Sequence, residues 1–139
     1  MTTTTTPKKR RQQRREAATD FAARRLALLQ ELRQTTDLEQ RGILLEALDL
    51  VRLNEAKDRL ERATDAKSQA VKRARRAERR LQTTQQAVAA GTGTVAQVQA
   101  AEVALAEAAA TEREAAIARW LCAETVWRNQ AARREAAHR

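Results

Sequence analysis

From Leu53 to Val88 apolar residues recur at alternating spacings of three and four: Leu53, Ala56, Leu60, Ala63, Ala70, Ala74, Ala77, Leu81 and Val88, with Lys67 and Thr84 at the remaining places. The positions between them are mostly Arg, Lys, Glu, Asp and Gln. A stripe this narrow is a heptad seam, which a helix buries only against another helix. Gly91-Thr92-Gly93-Thr94 interrupts the pattern, and a second apolar-periodic stretch begins at Val95. Two helices joined by so short a loop fold back as an antiparallel hairpin. The expected fold is therefore all-α, a long antiparallel coiled-coil hairpin with helices over about 37–90 and about 95–136 and a turn at 91–94. A short N-terminal helix over about 20–34 is expected to pack at the open end of the hairpin.

The stripe expected on the third helix is Val95, Val98, Glu102, Leu105, Ala109, Glu112, Ala116, Trp120, Ala123 and Trp127. Charge supports the hairpin independently. The second helix is basic from Lys72 to Arg80, and Glu102, Glu107, Glu112 and Glu114 lie on the returning strand of the hairpin against Arg113. If the loop centres on Thr92, Glu112 falls near Lys72, and Glu107 near Arg76 and Arg80. Trp120 and Trp127 then lie opposite Thr64 and Lys57. Exposed pairs contribute only ~0.5 kcal/mol each, but several together fix register.

Toward the N-terminus, Ala18, Phe21, Leu28 and Leu32, widened by Leu29, mark the first helix, and the chain breaks after Gln34. Thr36 with Glu39 fits a capping box for the second helix. The greasiest stretch follows, with Ile43, Leu44, Leu45, Leu48, Leu50, Val51 and Leu53 covering more than one seam. It is expected to touch two neighbours, the first helix and the far end of the third. Gly42 sits inside the pattern and weakens it by roughly 1 kcal/mol relative to Ala. Residues 1–19 are expected to form a disordered basic arm: a Thr tract, then Pro7-Lys8-Lys9-Arg10-Arg11-Gln12-Gln13-Arg14-Arg15, in which a helix capped by Thr6 would fray under charge repulsion.

Composition narrows the class. Of the 139 residues 42% are apolar, but Ala carries that figure, and Phe21, Trp120 and Trp127 are the whole aromatic supply. Such a chain packs thin helices and cannot fill a large globular core. The net charge of +9 favours an acidic partner. Cys122 is the single cysteine, so no intrachain disulfide forms and nothing argues for secretion. No apolar run is long enough to span a membrane, and no signal peptide is evident. The expected setting is cytoplasmic, and the heavy use of Arg over Lys with much Ala suggests bacterial, phage or plasmid coding.

Residues able to carry chemistry are few. His138, the sole histidine, lies near the C-terminus and reads as a solvated tail residue, and Cys122 reads as a small buried hydrophobe or, less simply, a reactive thiol. One Cys and one His cannot make a structural zinc site. Gly91-Thr92-Gly93-Thr94 lacks the Lys and the preceding strand of a phosphate loop. No catalytic residue, metal site or cofactor is assigned, and no enzymatic activity is expected. Trp120 and Trp127, seven residues apart, read as core of the three-helix end or as an anchor for a partner helix.

The basic tract of Lys8, Lys9, Arg10, Arg11, Arg14 and Arg15 is the strongest functional signal, joined by Lys72, Arg75, Arg76 and Arg79 on the second helix. Clustered Arg and Lys neutralise phosphates and release condensed counterions. Some of the second cluster is expected to pair with glutamates of the third helix. With no aromatic residues interleaved, stacking on single strands is disfavoured. The tract followed by Ala18, Phe21, Leu28 and Leu32 resembles a basic-region leucine zipper over some 25 residues. It lacks the Asn and paired Ala of that family, and no base-contacting role is carried over. Pro7-Lys8-Lys9-Arg10-Arg11 also resembles a short nuclear import signal. The leading expectation is a helical protein binding nucleic acid electrostatically, in an accessory or architectural role. The alternative is a structural or assembly coiled coil with the arm as a solubilising tail. A homodimer through the helical seam is compatible with either, and a membrane-surface role is not favoured.

Overall fold

In the computed structural model the described residues run from 7 to 139, with the side chains of 7, 14 and 17–19 outside the description. The expectations for residues 1–6, including the cap at Thr6, lie outside the described residues. Among the described residues the chain forms α1 (Pro7–Gln34), α2 (Leu38–Ala89) and α3 (Val95–His138), with no strand. α1 thus begins at Pro7 instead of near Asp20. Pro at a first helical position leaves no extra donor unpaired and fixes φ for the helix, and Gln12 Nε2 bonds Glu16 Oε1 at 3.2 Å one turn on.

The chain divides into two compact units, one comprising Met1–Asp58 with Thr125–Arg139, the other Arg59–Glu124. The first unit draws on three helices. Its core is Leu44, Leu48, Leu53, Ala56 and Val126, each below 9% exposed. Phe21, Leu28, Leu29 and Leu32 of α1 are half-buried. The greasy segment of α2 does not bury every large side chain: Ile43 is 55%, Leu45 47% and Leu50 44% exposed. The helix runs unbroken through Gly42, where a Cβ would meet only open space.

Two polar devices set the start of α2. The cap is Asp37, not Thr36: its Oδ1 accepts the amide of Glu39 at 3.3 Å, and its carbonyl accepts Arg41 N at 2.9 Å. Arg41 then reaches back to the end of α1, where its Nη1 donates to the carbonyls of Leu32 at 2.7 Å and Thr35 at 2.9 Å. These terminal carbonyls have no partner within their own helix. Arg25 of α1 also pairs with Glu55 of α2 at 3.2 Å.

The second unit is the two-helix hairpin. Its turn is a Schellman motif, with Thr92 N on the Ala87 carbonyl at 2.9 Å and Gly91 N on the Val88 carbonyl at 3.0 Å. Gly91 adopts φ 77°, a conformation that L side chains avoid. A Cβ on Gly93 would lie 3.0 Å from Val88 N, so the chain closes against α2 there. α3 starts with a capping box: Gln97 N donates to Thr94 Oγ1 at 3.3 Å and Thr94 N to Gln97 Oε1 at 3.0 Å. The pattern Thr-x-x-Gln is legible in the sequence and marks this start as clearly as the glycines mark the turn.

Along α2 every place on the expected seam is buried or half-buried, Ala70 at 4% and Ala74 at 9% exposure among them. On α3 six places of the expected stripe, Val98, Leu105, Ala109, Glu112, Ala116 and Ala123, are half-buried, while Val95, Glu102, Trp120 and Trp127 are exposed; Ala101, Ala108, Ala115, Arg119 and Cys122 join the buried side. Register agrees with a loop centred near Thr92, since Arg119 Nε donates to Thr64 Oγ1 at 3.2 Å. The expected position opposite Thr64 was Trp120, one residue on. The seam of α2 is thus lined by α3 of the same chain, with Leu60, Ala63, Ala77, Leu81 and Val88 half-buried.

Candidate nucleic-acid interface

Lys72, Arg75, Arg76 and Arg79 stand at i, i+3, i+4 and i+7 on α2, which places them on one helix face. Ala70, Ala74, Ala77 and Leu81 hold the opposite side, against α3. The four cations are exposed, as are Arg73 and Arg80 beside them. At 1.5 Å per residue the stripe runs about 10 Å along the helix, the axial reach of about three phosphates on one strand of a duplex.

The expected pairs of Lys72, Arg76 and Arg80 with Glu112 and Glu107 are not formed. Among the described residues none of the six cations takes part in an ion pair, and neither do Glu102, Glu107, Glu112 or Glu114. The cause is geometric. Correct register brings the two charged segments abreast, but the stripe points away from α3, so its side chains cannot reach across. Ser68, Gln69, Gln82, Thr83 and Gln86 are exposed nearby, and Glu78, three residues after Arg75, is the one carboxylate within the segment from Lys72 to Arg80. Thr83 and Thr84 turn their hydroxyls onto the carbonyls of Arg79 at 2.9 Å and Arg80 at 2.7 Å. They therefore do not compete for the guanidinium groups.

The N-terminal cluster belongs to the other unit. Lys8, Lys9, Arg10, Arg11 and Arg15 are exposed on the first turns of α1, and the side chain of Arg14 lies outside the described residues. These cations are thus carried on a helix, close together along one short segment.

Trp120 and Trp127 are not core. Trp120 is 62% and Trp127 66% exposed. Ile117, at 60%, and Leu121, at 52%, extend the exposed surface beside Trp120, and neither was singled out from the sequence. Their signal was present: Ile117, Trp120 and Leu121 are related by steps of three and four, one helix face. Cys122 is half-buried in the seam of α3.

The concave surfaces are shallow. A cleft of about 460 Å³ in the first unit is lined by Leu45, Glu46 and Asp49 of α2 and Arg133, Ala136 and Ala137 of α3. One of about 440 Å³ in the hairpin runs between Arg80, Thr84 and Ala87 of α2 and Gln97, Ala101 and Ala104 of α3. Neither brings a nucleophile and a base together. Among the described residues no helix is long and apolar enough to cross a membrane. No protein-family model, curated protein or solved structure matches this chain.

Proposed function

We propose that this chain is a non-enzymatic helical protein that binds nucleic acid through its phosphates. The stripe of Lys72, Arg75, Arg76 and Arg79 is the main contact, and the basic start of α1, from Lys8 to Arg15, is the second. The observation that carries the reading is that the stripe is exposed and makes no ion pair, although a glutamate-rich helix lies next to it. Cations needed only for register would face those glutamates. Cations held on the far side of the helix are open to an external polyanion.

Binding of this kind is sequence-independent and strongly salt-dependent, because each neutralised phosphate releases counterions. Nothing on the stripe resembles a base-reading set, which suits an accessory or architectural role. A cytoplasmic place in a bacterial, phage or plasmid system fits the Arg- and Ala-rich composition. The exposed Ile117, Trp120 and Leu121 support a second property, assembly with another chain, which is compatible with the first.

The test is duplex-DNA affinity by fluorescence anisotropy across about 50–300 mM salt, where each phosphate contact adds about −0.9 to the log–log slope. The intact chain is expected to show a slope of about −5 and to retain binding near 150 mM salt. Replacing Lys8, Lys9, Arg10 and Arg11 by Gln should remove part of that slope. Loss of all affinity below about 150 mM salt, with no change of slope in the variant or on neutralising the stripe, sinks the reading.

A further inference from the structure

The cations of the hairpin wrap further round α2 than a single stripe. With Lys72 as reference and about 100° per residue, Arg76 and Arg79 lie within about 40° of it. Arg75 lies about 60° to one side, and Arg80 and Arg73 about 80° and 100° to the other. All six are exposed and none makes an ion pair. They cover an arc of roughly 160° over about 12 Å of helix, with Ala70, Ala74, Ala77 and Leu81 of the seam on the other side. Glu78 falls about 60° beyond Arg75, outside the arc. On the Arg80 side, the cleft between α2 and α3 is lined by Thr83, Gln97, Ala100 and Ala104 and by no carboxylate.

We infer that α2 lies in the major groove of a B-form DNA duplex, with Arg73 and Arg80 against one phosphate wall and Arg75 and Arg79 against the other. This rests on phosphate binding by the stripe, as proposed above, and names the form of nucleic acid that the stripe takes. A flat anionic surface or a single strand meets one line of cations on a helix and leaves a flank idle. A groove meets both flanks at once. The major groove of B-DNA is about 12 Å wide and about 8.5 Å deep, and a helix with its side chains is about 10–12 Å across. The minor groove, about 6 Å wide, is too narrow for a helix, and so is the deep A-form major groove of duplex RNA. Lys72 and Arg76 then face the groove floor, between walls of one sign of charge that concentrate the field. The axes of packed helices lie about 8–10 Å apart, so α3, behind α2, stays at the groove mouth. Its exposed Glu102, Glu107 and Glu114 stay outside with it.

The test is fluorescence anisotropy with duplex DNA, duplex RNA and single-stranded DNA of one sequence. The full chain carries Lys8→Gln, Lys9→Gln, Arg10→Gln and Arg11→Gln, so that the hairpin is the main cationic site. At about 150 mM salt duplex DNA is expected to bind at least roughly tenfold more tightly than the other two, the worth of two further phosphate contacts. On duplex DNA, Arg73→Gln with Arg80→Gln, and separately Arg75→Gln with Arg79→Gln, should each reduce the magnitude of the log–log salt slope by about 2. Duplex RNA or single-stranded DNA bound as tightly as duplex DNA overturns the groove placement while phosphate binding stands. So does a flank pair whose replacement leaves the slope on duplex DNA unchanged. No binding to any of the three at about 50 mM salt overturns both. The comparison of the three nucleic acids uses an unaltered hairpin and decides alone should a flank variant unfold.

Discussion

The two units are built from the same pair of long helices and are held in different ways. In the first, buried positions carry large side chains, Leu44, Leu48, Leu53 and Val126, with α1 as a third element. In the hairpin the buried positions are Ala70, Ala74 and Ala101. A fully buried Leu contributes about 1.5–3 kcal/mol, whereas one methyl contributes about 0.8 kcal/mol. The hairpin therefore rests on many small contacts, on the high helix propensity of Ala, and on the hydrogen-bonded turn. A seam of alanines needs only a narrow stripe of each helix. That leaves wide outer faces whose composition the fold does not dictate. Both candidate interaction surfaces of the hairpin, the cationic stripe and the Trp120 patch, lie on such faces.

The largest test of this contrast compares core substitutions in the two units. Leu48→Ala removes a 4%-exposed side chain from the Leu-rich core and should cost about 2–5 kcal/mol in urea denaturation. Ala70→Gly, at an equally buried place in the hairpin, should cost about 2 kcal/mol, the helix-propensity difference of about 1 kcal/mol plus about 0.8 kcal/mol for the buried methyl, at the bottom of that range. A loss at Ala70 of more than about 3 kcal/mol would mean that the Ala seam carries more packing energy than its side chains suggest.

The turn offers the next effect. Gly91 holds φ 77°, and a left-handed conformation costs a residue with a Cβ roughly 1–2 kcal/mol. Gly91→Ala should lower stability by that amount, whereas Gly42→Ala should raise it by about 0.5–1 kcal/mol, because Gly42 is in a helix with open space around it. The opposite signs at these two glycines, one in each unit, are measurable by the shift in thermal midpoint.

These contrasts also explain which features could be read from the chain. The seam of α2 was legible because its apolar places alternate with charged ones, so a wrong phase would bury Arg or Glu. On α3 alanine occupies every face, from Ala100 to Ala118, and the apolar period has almost no contrast. The expected stripe departs from the buried side chiefly at Trp120 and Trp127, where the seam instead takes Arg119 and accommodates it by a hydrogen bond to Thr64. Bulk and burial part company here, with Trp120 62% and Trp127 66% exposed. The same weakness affected charge: register alone placed Glu107 and Glu112 beside the basic segment, but whether side chains meet depends on the angle around each helix. The basic clusters were legible by composition. That Lys72, Arg75, Arg76 and Arg79 are left without ion pairs required coordinates. The start of α1 at Pro7 was obscured by the like charges that follow it, which argue for fraying but do not abolish helical geometry.

The smallest expected change in stability is also the sharpest test of whether the stripe serves the fold. Like charges at i, i+3 and i+4 destabilise a helix by about 0.2–0.5 kcal/mol per pair. Lys72, Arg75, Arg76 and Arg79 make several such pairs and form no ion pair, with Glu78, at i+3 from Arg75, the one carboxylate within the segment. Replacing all four by Gln should therefore leave the hairpin as stable as before or raise its stability by up to about 1 kcal/mol. The gain should shrink in high salt, where the repulsion is already screened. The same variant should lose about 3–4 units from the log–log salt slope of duplex-DNA binding. A charge cluster that held the fold would show the reverse, lower stability in the variant and unchanged binding. The two readouts therefore separate cations kept for a partner from cations kept for the hairpin.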